Sequence, residues 1–324
     1  MSAAATTSGR PGSAGPARNW TQRLRRGDEA AYLITFACAA TVLAATALIA
    51  FELYRGSAAS RHKFGWSFLI TQEWDPVSGQ FGAQPFIYGT VVTSALALLI
   101  AIPLGVGAAI FLAELAPPRI SAALTFLIEL LAAVPSVIFG LLGIFILVPA
   151  LREIEPALRS TFGWMPFFRG PFYGVSLFAA GVVLAVMIIP FIISVSREII
   201  LQVPADQREG GFALGATHWE TTWNVVIPFA RKGILASIFL ALARALGETM
   251  AVTMVIGNDP KIAASLFAPG YSIAAVIANE FTEATGTLYP AALIELGLVL
   301  FALTIAINAL ARMLVLSTVK RGTT

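Results

Sequence analysis

Three charged residues sit where charge is hardest to keep. Arg244 and Glu248 lie four residues apart inside one long apolar run, and Glu129 lies inside another. Charged side chains within such runs are costly and mark a pathway or a partner. An arginine is a permanently charged, forked donor that fits an oxyanion. Arg244 is therefore a candidate anion ligand, with Glu248 and Glu129 as the groups that hold it. The alternative is an ion pair fastening two helices together. Two carboxylates and one arginine leave a net negative charge, so binding an anion needs a second source of positive charge or a protonated glutamate.

Other chemistries find no support. A phosphate-binding loop ends in Gly-Lys-Ser/Thr, whereas the four lysines follow His62, Arg231, Pro260 and Val319. The chain cannot complete that motif, so ATP hydrolysis is not expected of it. His62 and His218 stand far apart, with no carboxylate at metal-ligand spacing. Cys38 is the single cysteine, which excludes an intrachain disulfide. The net charge of +3 comes without a run of five or six Lys/Arg, so nucleic acid is not an expected partner.

The elements that must position these residues are membrane spans. Of 324 residues, 57% are hydrophobic and only 12% charged, about half the charge of a soluble domain, and the mean hydropathy is +0.81. Six apolar segments reach the ~20 residues needed to cross a bilayer: Ala30–Tyr54, Phe86–Leu115, Ile120–Leu151, Gly174–Leu201, Gly233–Asn258 and Thr287–Leu316. Pro135 is expected to bend the third near Val134. Arg244 falls about 17 Å into the fifth span and Glu129 about 14 Å into the third from the same side, at 1.5 Å per residue. Thirteen of the 21 Lys and Arg fall on one side, seven on the other, and Arg244 inside a span. That excess places both termini in the cytoplasm. The outer loops, Arg55–Pro85, Arg152–Tyr173 and Asp259–Gly286, carry aromatics such as Trp66, Phe68, Trp74 and Trp164, read as interfacial anchors or as a docking surface. Glycines such as Gly140 and Gly143 are expected to serve close helix packing.

Residues 202–232, on the cytoplasmic side, are the most structured loop. Pro204 suits a first helical turn, a short helix can run through Ala205–Leu214, and Gly215 suits its end. Thr217-His218-Trp219-Glu220 is a Ser/Thr-x-x-Glu capping box opening a second helix that should stop before Pro228. Trp219 and Trp223 then share a face, with Val226 and Ile227 continuing it. Two short helices with exposed aromatics fit a groove in another protein or lie on headgroups.

The segment Glu209-Gly210-Gly211, Gly215, Val225-Val226-Ile227-Pro228 resembles the EAA loop of bacterial ABC importer permeases, Glu-Ala-Ala, three residues, Gly, nine residues, Ile-x-Leu-Pro. Glu209, Gly215 and Pro228 match at the family spacing, while Gly210 and Gly211 replace the alanines. Each glycine inside a helix costs about 1 kcal/mol relative to alanine, so this helix is expected to lean on a partner. Leu131–Gly140, Ala213–Thr217 and Arg244–Asn258 further resemble the phosphate-importer permeases of the PstC type, from about Phe86 to the C-terminus.

The resemblance implies an all-α membrane protein with the six-helix fold of a type I ABC importer permease. Its implied function is ATP-driven phosphate import across a bacterial plasma (inner) membrane, without catalysis on this chain. The implied partners are a PstA-like sister permease, a PstB-like ATPase dimer carrying ATP and Mg, and a PstS-like external phosphate-binding protein. Glu209, Gly215, Trp219, Trp223 and Pro228 would couple to the ATPase, while Arg244, Glu248 and Glu129 would line the phosphate pathway. The expected organisation is a cytoplasmic tail (1–29), a first span with its outer loop (30–85), a five-helix core (86–316) with coupling loop 202–232, and a short tail (317–324). The alternatives are a permease for sulfate or molybdate, and a self-sufficient carrier driven by an ion gradient.

Overall fold

A computed structural model of the chain describes residues Asp28–Lys320. The expected tail 1–29 lies outside them apart from its last two positions, and residues 321–324 of the C-terminal tail lie outside as well. The chain divides into two units, Met1–Glu52 and Leu53–Thr324. The described part of the first is most of helix α1 (Asp28–Gly56), apolar on all its faces.

The second unit is helical. It holds α2 (Ala58–Phe64) with a 3₁₀ turn over Gly65–Leu69, then α3 (Gln84–Ile110) ending in a π turn over Phe111–Leu115. Helix α4 (Pro118–Ala132) is followed by α5 (Ser136–Leu142), which runs through a π turn at Gly143–Leu147 into α6 (Val148–Phe162). Next come α7 (Leu177–Leu201), α8 (Ala205–Ala213), and α9 (His218–Thr221), which continues through a π turn at Thr222–Val226 into α10 (Ile227–Leu246). Helices α11 (Met250–Ile256), α12 (Ile273–Glu280) and α13 (Leu288–Lys320) complete the chain.

Among the described residues six helical stretches are long and apolar enough to cross a membrane, but two differ from the expected spans. The third is Ser136–Phe162, so it extends through much of the expected second outer loop. Pro135 does not merely bend a helix there; it separates two. Its ring disfavours helical backbone at the preceding residue and it has no N–H to donate, and the chain is extended at Pro135 (ψ 138°) before α5 begins. The fifth is His218–Leu246. It stops at Gly247, and Arg244–Asn258 is two helices, not one.

The two short helices that follow these breaks pack on each other. A Cβ at Gly140 of α5 would stand 2.5 Å from Met254 Sδ and 3.2 Å from Ala251 Cα of α11, so any larger residue would require Met254 and α11 to give way. Helix α7 is the central post: Leu184, Ile188 and Ile192 are fully buried against Ala97 and Ala101 of α3, Ala241 of α10 and Val255 of α11. In lipid such association rests on close packing and interhelical hydrogen bonds. Ser196 and Ser237 supply one of the latter, 2.7 Å apart between α7 and α10. Exposed Leu99, Phe126 and Phe145 are ordinary for a surface that faces hydrocarbon.

At the end of the bundle where α3 and α13 begin, the segment expected to be the first outer loop is folded down as core. Phe68, Phe81 and Phe86 are buried with Tyr271 and Leu293, and Trp74 donates to Glu280 Oε2 at 2.9 Å. Burial pushes the Tyr271 hydroxyl up to about 12. Trp66, Trp164, Phe167 and Tyr173 are among the loop aromatics that stay exposed.

Candidate functional site

The loop between α7 and α10 is a built object. Pro204 precedes α8, and Gly215 turns the chain with φ of +84°, a conformation that favours glycine. Both halves of the capping box form: Glu220 N–H donates to Thr217 Oγ1, and Thr217 N–H donates to Glu220 Oε2 at 2.8 Å. Gly211 is buried where α8 crosses α9, and a Cβ there would lie 2.9 Å from Thr221 Cγ2 and Oγ1. Gly210 has open space at its Cβ position. One of the two departures from Glu-Ala-Ala is thus a packing requirement, and the other is not.

The second helix of the loop does not stop before Pro228. It passes through a π turn, with Ile227 N–H bonded to Thr222 O, and continues as α10 with Pro228 in its first turn. The wider turn accommodates a residue without an N–H, as π turns commonly do at such irregularities. The loop is therefore rigidly continuous with the fifth span. Trp219 and Trp223 stack with centroids 5.8 Å apart and planes 17° apart, and both are exposed, as are Leu214 and Phe212. Val226 does not continue that stripe. It is fully buried with Ile110, Ile200, Val203 and Ala230, so the loop is footed on the core. Glu209 and Pro228 are exposed.

Sequence reasoning overlooked the residue that fastens this loop to the spans. Arg208 of α8 donates from Nη2 and Nε to Glu114 Oε1, at 2.8 and 3.3 Å, and from Nε to Oε2 at 3.4 Å. It also donates to the carbonyls of Ile200 (2.9 Å) and Val203 at the end of α7. The Glu114 side chain is 5% exposed, in the π turn that ends α3. One guanidinium thus joins α8 to the ends of two spans. An acidic residue at the end of an apolar run, opposite a basic loop, was the available signal.

Among the described residues no ion pair joins the three charges expected inside the membrane, and Glu129 and Glu248 lie outside the six apolar helical stretches. Glu129 is in the last turn of α4, before the Pro135 break, and exposed. Arg244 is in the last turn of α10, exposed, before the Gly247 break. Glu248 lies beyond that break, so the two residues of the one apolar run do not share a helix. Its Oε1 accepts from Ala251 N–H at 3.2 Å in the first turn of α11. Each charge of this pair has the sign that its helix end favours, cation at the C-terminus and anion at the N-terminus. Two opposed helix ends therefore retain two charges without requiring an ion pair.

Residues 101–319 match the binding-protein-dependent transport system inner membrane components. The chain belongs to that family. The phosphate transport system permease protein PstC of Mesorhizobium japonicum is 47% identical over 290 residues, covering 88% of this chain and 89% of its own length. The protein of the same name from Haemophilus influenzae is 48% identical over 86% and 90%, and PstC 2 of Mycobacterium tuberculosis is 38% identical over 89% and 91%. Among solved structures, the permease shares its fold with a chain of the inward-facing MetNI methionine ABC transporter, with a TM-score of 0.52 at 16% identity, covering 76% of this chain and 99% of that one. A permease of this family is a multi-pass inner-membrane protein, in agreement with the six spans.

Proposed function

We propose that this permease forms half of the translocation pathway of an ATP-driven phosphate importer. Phosphate is supported by the relatives' likeness along nine-tenths of the chain. The observation that carries the coupling is the exposed Trp219–Trp223 stack on a loop continuous with a span and pinned to two others. Such a knob fits a groove on a cytoplasmic ATPase, the PstB-like dimer that would hold ATP and Mg. Closure of that dimer would push α8, and Arg208 would pass the push to α3 and α7.

A PstA-like sister permease would complete the pathway, a PstS-like binding protein would deliver phosphate from outside, and both termini would be cytoplasmic. Arg244 would offer its exposed guanidinium to the anion. Glu248, already engaged by a helix N-terminus, would repel phosphate less than a free carboxylate, and Glu129 would lie across the pathway. A carrier that runs on an ion gradient needs no such knob. The test is affinity purification from native membranes with identification of accompanying chains. A second permease and an ATPase are expected; a chain that purifies alone would contradict the proposal.

A further inference from the structure

Glu295 is a carboxylate inside the sixth span, only 6% exposed, and its Oε2 is buried without a hydrogen bond. Leaving such an oxygen unpaired is expensive. Its polar neighbours are Arg61 of α2 and the Ser60 hydroxyl, which faces the carboxylate and is itself buried without another partner. Arg61 does not close an ion pair with it: Nε donates to Ser57 Oγ at 2.9 Å and Nη2 to the Tyr54 carbonyl, with the guanidinium over the Tyr54 ring.

Both charges line one cavity of about 690 Å³, within the size range of small-molecule sites. The rest of its wall is apolar. Leu298, Ala302 and Ala306 recede from Glu295 at three- and four-residue spacing along one face of α13. From Glu295 to Ala306 the groove runs about 17 Å, roughly half the ~30 Å hydrocarbon thickness, which is the depth of one leaflet. Trp66, 86% exposed, lines the same cavity, and tryptophan is a residue type that settles at the membrane–water boundary.

We propose that this groove binds one zwitterionic phospholipid with a primary ammonium, phosphatidylethanolamine, its ammonium on Glu295, its phosphate on Arg61, and an acyl chain along Leu298, Ala302 and Ala306. The side-by-side anion and cation match that headgroup. A primary ammonium brings N–H donors to a carboxylate that otherwise faces only the Ser60 hydroxyl and Arg61. A choline headgroup has no N–H, and a glycerol headgroup has no cation.

The experiment uses the full chain with its accompanying subunits, purified in mild detergent and equilibrated with mixed micelles of equal phosphatidylethanolamine, phosphatidylcholine and phosphatidylglycerol. Retained lipid is counted by native mass spectrometry. One phosphatidylethanolamine per chain is expected, preferred about tenfold over each of the others, the value of one charge-assisted hydrogen bond. Glu295→Gln should abolish that preference while a phospholipid is still retained, and Arg61→Gln should lower retention of all three. Ala302→Trp, which keeps both charges and blocks the groove, should empty the site with the thermal midpoint preserved. Equal retention of the three lipids, or an undiminished preference in Glu295→Gln, would overturn the proposal. So would an empty wild-type site in which Ala302→Cys cross-links to another polypeptide, for then a protein helix fills the groove.

Discussion

Arg208 and Glu114, 94 residues apart in the chain, meet as a forked ion pair with a shortest contact of 2.8 Å. The pair closes the loop of α8 onto the end of α3, and the same guanidinium reaches two carbonyls at the end of α7. Removing one partner of a mostly buried pair costs about 3–5 kcal/mol, reduced here because Arg208 remains 22% exposed. Arg208→Gln and Glu114→Gln are each expected to lower phosphate uptake about tenfold or more while ATP hydrolysis by the purified complex persists. The exchange Arg208→Glu with Glu114→Arg should restore part of the uptake. Parallel loss of hydrolysis and uptake in both single variants would argue against a coupling role.

Trp223 is exposed and makes its ring contact with Trp219. Trp223→Asp should leave the chain folded and inserted yet release the ATPase during co-purification. A complex that survives the change would move the docking face elsewhere.

Gly210 and Gly211 should respond in opposite directions. Gly210→Ala adds a methyl group to open space and should stabilise α8 by about 0.5–1 kcal/mol. Gly211→Ala drives a methyl to 2.9 Å from Thr221 and should destabilise by about 1–3 kcal/mol. Amide exchange across residues 205–213 reads both: slower in the first variant, faster in the second.

The six crossings were legible because about 20 apolar residues leave a chain few alternatives, and the coupling loop was legible because Thr217 and Glu220 carry their own capping logic. The breaks were not. Whether Pro135 bends or divides a helix depends on what packs behind it, here α11 against Gly140, and Gly247 lies within an unbroken apolar string. Arg208 and Glu114 escaped notice because nothing local links residues so distant in sequence. Glu295 escaped because a single carboxylate in an apolar run reveals its significance only when its unpaired oxygen is seen.

Arg244 is exposed at the end of α10, so Arg244→Gln should leave the fold intact. Uptake should fall about tenfold or more, the worth of one charge-assisted hydrogen bond to phosphate. Wild-type uptake at normal expression would remove Arg244 from the pathway.

The most direct measurement is labelled phosphate uptake in cells lacking this chain and every other phosphate importer, before and after the chain is restored, with excess sulfate or molybdate as competitors. Restored uptake that requires ATP and is insensitive to both competitors is the predicted result. Failure to restore uptake, or uptake suppressed by sulfate or molybdate, would contradict a phosphate permease.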